Sequence, residues 1–336
     1  MILTPKVLKS LNIAVRILIA VLSAGYVAYR ILTLSKGEIS VYFLGILKLE
    51  NTGFYLIILF FLMIINWGLE AYKWKLLIGR SEEISFGTSY QAILGGLAAG
   101  VFTPNRVGEF FGRVFILKNT KILKGVVLTL IGSFSQLLVT IVFGAAAFAF
   151  MSSLYLINYF PDLFWLWIGL SVGMLLTALA AIYVYFNISA LNRFESLIPE
   201  KFKYKVAKGF EALSDFPKLL LLKTILISTM RYFVFSFQLY IALLLCNFQV
   251  TPALALIIIP LIFLFLAAIP TIALSEIGVR GSVAVFLFGL VSSEGKLQGN
   301  EALALISATT LLWLINIALP SLLGLLAIFR LKFFRP

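Results

Sequence analysis

Six long apolar runs constrain this chain before any motif does. Residues 11–31, 54–74, 125–150, 163–187, 219–246 and 302–328 each extend over 20 residues or more with almost no charge. A helix rises about 1.5 Å per residue, so each run is long enough to cross a hydrocarbon core of roughly 30 Å. Inside lipid the backbone must satisfy its own hydrogen bonds, which leaves helices or a closed barrel. The short alternating segments of a barrel are absent from the sequence. Charged residues make up only 12% of the chain and hydrophobic ones 62%, whereas soluble domains carry about a quarter charged residues. The fold class expected is therefore all-α, a polytopic membrane protein forming one integral membrane domain over residues 1–336.

The rest of the composition narrows the chemistry. There is no histidine, which removes histidine metal sites, Ser-His triads and histidine proton relays. The single cysteine, Cys246, lies in an apolar run and has no partner for an internal disulfide. No soluble segment exceeds about 30 residues, which leaves no room for a separate soluble catalytic domain. No phosphate-binding G-x4-G-K-[ST] pattern occurs. Residues 11–31 contain Arg16 and lack a small-residue cleavage site, so they read as a retained helix and not a signal peptide. The net charge of +13 fits cytoplasmic loops facing anionic lipid and does not call for nucleic acid. No cofactor and no metal are expected.

Two further hydrophobic regions are interrupted. Residues 87–118 and 252–291 each contain an apolar arm, a proline, a short polar stretch with Glu and Arg, and a second apolar arm. Loop charge orients the spans. Lys6 and Lys9 place the N-terminus inside. Lys73, Lys75 and Arg80, then Lys118, Lys121 and Lys124, read as cytoplasmic, as do the connector 188–218 and the tail "RLKFFRP". The loops 152–162 and 247–251 carry no Lys or Arg and read as external. Every basic loop falls inside only if both interrupted regions are re-entrant hairpins. The sequence thus predicts six full transmembrane helices plus two hairpins, with both termini cytoplasmic. The basic connector 188–218 reads either as a solvated link or as an amphipathic stretch on the inner leaflet.

The hairpins resemble one another. "PNRVGEFFGR" and "PTIALSEIGVRG" both run proline, spacer, glutamate, three residues, arginine. Glu109 and Glu276 are 167 residues apart, as are Arg113 and Arg280, while Pro104 and Pro270 are 166 apart. The flanking spans match in order, so residues 54–150 and 219–328 read as a duplication in inverted topology. Inverted repeats with broken helices at matching positions point to a transporter with its site near the midplane.

Ionisable groups at membrane depth are costly unless paired or hydrated, which makes them functional candidates. Glu109 with Arg113, and Glu276 with Arg280, share a helical face at (i, i+4). Arginine grips phosphate in two places and stays charged. Arg106 near the first tip and Arg231 in mid-span are further candidate substrate-binding cations. Pro104, Gly108, Pro270 and Gly278 are the expected hairpin-breaking positions. The same Glu/Arg pairs could instead clamp the hairpins into the bundle, and both readings stand at this point. Glu70, Trp67 and Asn66, near the end of the second span, are expected at the membrane interface.

"GGLAAGVFTPNRVGEFFGR", followed in the second half by "IPTIALSEIGVRG", resembles the transmembrane region of lysylphosphatidylglycerol synthases over roughly residues 10–330. The T-P-x-R-x-G-E signature is the most specific part. In bifunctional members this region is associated with flipping an aminoacylated lipid between leaflets, while a separate soluble domain makes the lipid. That soluble domain is missing here, so the resemblance implies no synthase activity. It carries over to Pro104, Arg106, Gly108, Glu109 and Arg113, and less firmly to Glu276 and Arg280.

The expectation that follows is a non-enzymatic flippase in the cytoplasmic (inner) membrane. It would move a phospholipid with an anionic or aminoacylated head group, with a lipid-modifying enzyme as a possible partner. The alternatives are a transporter of a small soluble anion, a membrane enzyme acting on a lipid phosphate, and a non-catalytic membrane scaffold.

Overall fold

The computed structural model describes residues 51–101, 103, 106–188, 216–269, 276–292, 297 and 299–328, with a few isolated positions before residue 50. Most of the expected span 11–31 and of the connector 188–218, the basic tail, Pro104 and Pro270 lie outside the described residues.

Everything regular in the described residues is helix. The chain forms α1 (Thr52–Ile78), α2 (Phe86–Gly100), α3 (Val107–Val114), α4 (Ile122–Met151), α5 (Phe164–Phe186), α6 (Lys218–Leu245), α7 (Pro252–Ala268), α8 (Glu276–Val291), α9 (Gly299–Trp313) and α10 (Leu319–Ile328). A π turn at Ser152–Leu156 prolongs α4, and another at Leu314–Ala318 joins α9 to α10. Five of the resulting rods are long and apolar enough to cross a membrane: Thr52–Ile78, Ile122–Tyr159, Pro161–Phe186, Lys218–Leu245 and Gly299–Ala327. They coincide with the last five of the six runs read from the sequence. The chain is a polytopic helical membrane protein.

The remaining helices are shorter. The 15 residues of α2 reach about 22 Å and the 17 of α7 about 25 Å, short of a full crossing. Each instead turns back along its successor, α2 on α3 and α7 on α8. Both first arms start at a hydroxyl cap. Ser85 Oγ accepts from the Thr88 N–H at 3.1 Å, and Thr251 Oγ1 from the Leu254 N–H at 3.3 Å. Such caps satisfy backbone donors that a helix start leaves open. They stand 166 residues apart, the same offset as the two prolines.

Contacts show where each hairpin returns. Glu82, ahead of α2, accepts the backbone N–H groups of Lys118, Asn119 and Thr120, beyond α3, at 2.7–3.1 Å. The first hairpin therefore leaves by the end at which it came in. Phe248, ahead of α7, packs its ring on Phe288 near the end of α8, centroids 4.9 Å apart. The second hairpin does the same.

The long helices fix the relation between the two ends. The start of α6 lies beside the end of α5, where Tyr185 Oη and Thr224 Oγ1 share a hydrogen bond of 2.6 Å. Late in α6, Gln238 Nε2 donates to the Leu59 carbonyl early in α1 at 3.1 Å. Helices α1 and α6 thus run antiparallel, and the hairpins that follow them come in from opposite ends. Packing is exchanged between the halves as well: α2 lies on α10, and α7 lies on α4. Helix α5 stays at the periphery, and its Trp165, Leu176, Leu179 and Tyr183 are exposed. An apolar helix with so little cover within the bundle faces lipid.

Candidate functional site

The first tip is built by its own side chains. Thr103 Oγ1 donates to the Gly100 carbonyl at 2.8 Å and accepts from the Gly108 N–H at 3.0 Å, so one hydroxyl ties both arms. Arg106 caps α3 with φ 56° and ψ 32°. This left-handed conformation costs a side-chain-bearing residue roughly 1–2 kcal/mol and turns Arg106 inward. Below the tip the arms touch backbone to backbone. A Cβ on Gly108 would overlap the Ala99 carbonyl, and one on Gly112 would lie 2.8 Å from the Gly96 Cα. Small residues four apart on both arms permit this approach in a membrane. It brings Glu109 and Arg113 into the interior.

There the charges form one continuous chain. Glu70 of α1 receives Arg113 Nη1 at 2.7 Å on Oε1, with Lys73 Nζ at 2.9 Å and Arg231 Nη1 at 3.0 Å on Oε2. Arg113 Nη2 continues to Glu109 at 3.2 Å, and Arg106 Nη1 meets the same carboxylate at 3.4 Å. Arg106 Nη2 then reaches Glu276 in the second hairpin at 3.1 Å, and Arg280 Nη2 joins Glu276 at 2.9 Å. The hairpin tips meet through this contact. All six charged residues singled out in the sequence belong to the network.

Neutral groups complete it. Lys73 Nζ also donates to the Gly132 carbonyl at 3.0 Å and Ser228 Oγ at 3.1 Å. Arg231 Nε donates to Asn66 Oδ1 at 2.9 Å, and its guanidinium stands 5.0 Å from the Trp67 ring centroid. The Trp67 indole donates to the Asn316 carbonyl at 3.1 Å, and Asn66 Nδ2 to Asn316 Oδ1 at 3.1 Å. Asn316 lies in the π turn between α9 and α10, where the displaced backbone frees a carbonyl. Trp313 Nε1 donates to Glu276 Oε2 at 3.4 Å.

Five cations meet three carboxylates in this network, which leaves two surplus positive charges among the described residues. The surplus borders open space. A cavity of about 250 Å³ is lined by the polar Arg231, Arg280, Asn66, Gln136 and Thr140 and by the apolar Phe235, Phe263 and Leu266. Arg280 Nε has no hydrogen-bond partner among the described residues. The arrangement suits an anion whose neighbouring atoms are apolar.

Several expectations change here. Glu70, Trp67 and Asn66 do not face the surroundings of the bundle: they are 3%, 4% and 1% exposed. Helix α1 runs to Ile78, which places residue 70 two turns inside the helix end, facing α3 and α6. Lys73, counted above as a loop charge, is 1% exposed within the bundle. Its spacing of three from Glu70, and of seven from Asn66, is the sequence signal that the apolar background concealed. Gly108 and Gly278 lie in the first turns of α3 and α8, just past the breaks. Gly108 serves close packing, and Gly278 has open space beside it. Arg113 is sealed between two carboxylates and does not line the cavity.

Five spanning helices and two hairpins joined at their tips by buried charge define a polytopic membrane protein with an internal ionic site. The chain belongs to the family described as the lysylphosphatidylglycerol synthase TM region, whose model matches residues 13–324. No aminoacyltransferase region is matched in these 336 residues. No curated protein and no solved structure matches the chain. The family ties the chain to membrane lipid.

Proposed function

We propose that the protein moves a phospholipid with an anionic head group between the leaflets of the cytoplasmic membrane, without catalysing a covalent change. The observation that carries this reading is a cavity lined by two guanidinium groups together with apolar side chains. A head-group phosphate beside Arg231 and Arg280 would neutralise the surplus charge, since guanidinium groups bind phosphate in a planar, forked geometry. The apolar side chains would take the part of the lipid next to the head group. Residues 54–150 and 219–328 act as inverted halves whose hairpins open the cavity to one leaflet and then the other. In this reading both termini are cytoplasmic, and a lipid-modifying enzyme supplies or consumes the cargo.

The test is movement of head-group-labelled phosphatidylglycerol across liposomes containing the purified protein. Arg231→Gln and Arg280→Gln are each expected to reduce movement at least tenfold while the protein stays folded by circular dichroism. Undiminished movement in the folded double variant would remove the cavity from the path. A small soluble anion is the second reading, favoured by the modest volume of about 250 Å³. Uptake of a soluble phosphodiester, with no lipid movement, would select it.

A further inference from the structure

A second cavity, of about 360 Å³, also borders the second hairpin, and every residue lining it is apolar or aromatic. Met151 of α4 and Trp167 of α5 form one side, and Leu261 and Phe265 of α7 the other. Leu287 of α8 is buried at its wall, while the lining residues Phe286, Phe160 and Leu163 are exposed, so the cavity opens to the apolar surface of the bundle. The volume falls within the range of ordinary ligand sites. The Trp167 indole N–H is buried and has no hydrogen-bond partner among the described residues. A buried donor left unpaired is unfavourable, and an indole in an apolar setting ordinarily finds an acceptor.

The two cavities share a wall. Helix α7 gives Leu266 to the polar cavity and Phe265 to the apolar one, and α8 gives Arg280 to the first and Leu287 to the second. Seven residues of helix separate Arg280 from Leu287, about 10 Å along the axis. One amphiphile can therefore reach both.

We propose that the apolar cavity is the acyl-chain subsite of the transported lipid, with an ester carbonyl accepting from Trp167. The inference rests on the lipid reading above and adds what holds the tail. Bilayer lipid already solvates an acyl chain, so the cavity contributes through shape and through the paired indole and not through transfer from water. Removing that hydrogen bond is expected to weaken diacyl lipid binding about fivefold.

The experiment uses the full chain in phosphatidylcholine nanodiscs with a phosphatidylglycerol probe carrying a photoactivatable diazirine in one acyl chain. Labelled residues are mapped by mass spectrometry, with and without excess unlabelled phosphatidylglycerol. Label on α5, α7 and α8 at the cavity, competed by phosphatidylglycerol and lost in both Leu290→Trp and Arg280→Gln, is the expected result. Trp167→Phe, which keeps the shape and removes the donor, should raise the competing concentration about fivefold. Cavity label indifferent to Arg280→Gln would mean a resident structural lipid and overturn the inference. Competed label elsewhere on the protein, still sensitive to Arg280→Gln, would overturn it too while leaving the lipid reading intact. No competed label anywhere would sink both.

Discussion

Glu70 is the residue on which the interior charges converge, with Arg113, Lys73 and Arg231 all on one buried carboxylate. Buried ion pairs contribute little net stability when intact, because desolvation offsets attraction, but removing one partner strands the others. Glu70→Gln is therefore expected to destabilise the fold by about 3–5 kcal/mol, seen as a lower melting temperature in detergent. Arg280→Gln, at the rim of the cavity with one partner carboxylate, should lower it far less while halting transport. Equal losses of stability in the two variants would make Arg280 another clamp. The Glu/Arg pairs were legible in the sequence because they occur twice at one offset. Glu70 was not, since a single acid near the end of an apolar run looks the same whether it faces head groups or three cations. Only the spacing of Asn66, Glu70 and Lys73 on one helical face distinguishes the cases.

At the scale of elements, the hairpins share a sequence pattern but not a packing mode. Gly108 stands one residue before Glu109 and Gly278 two after Glu276, and they meet opposite surroundings. Gly108→Ala drives a methyl group into a backbone carbonyl and is expected to cost about 1–3 kcal/mol. Gly278→Ala enters open space in a helix and should be neutral or stabilise by up to about 1 kcal/mol. Thermal unfolding of the two variants checks the pair. The loop end of the first hairpin adds a pH-dependent fastening. Partial burial would raise the pKa of Glu82, but hydrogen bonds from the backbone of Lys118, Asn119 and Thr120 and from the Thr120 hydroxyl bring it below the ordinary glutamate value. A carboxyl with a depressed folded pKa stabilises the fold above its unfolded pKa, and that contribution is lost as pH falls through the lowered value. Melts from pH 7 to pH 3 should show a steeper acid loss in wild type than in Glu82→Gln. The breaks were legible from proline and charge within apolar sequence. The caps at Ser85 and Thr251 and the backbone contact of the arms were not, because a hydroxyl or a glycine has many uses and only its neighbours choose one.

For the whole molecule, the order of the five long helices among the described residues followed from hydrophobic length, the most robust signal a membrane sequence carries. The ends at which the hairpins turn back followed from loop charge, even with Lys73 wrongly counted among the loop residues. Labelling checks the resulting arrangement. In a Cys246→Ser background, Glu83→Cys and Gln249→Cys, both at exposed positions, should react with an impermeant maleimide from opposite sides of sealed vesicles. Reaction from the same side would place both hairpins at one face and dismantle the two-ended architecture. The mutual dependence of the halves lies in their exchanged packing, α2 on α10 and α7 on α4, which no reading of local sequence could supply. The glycine seam makes the two hairpins unequal. The arms of the first are in backbone contact, whereas the second has room beside Gly278, and Arg106–Glu276 is an ion pair between them among the described residues. A molecule made of two similar halves is thus unevenly seamed: glycines in backbone contact close one hairpin, and the other has no such seam at Gly278.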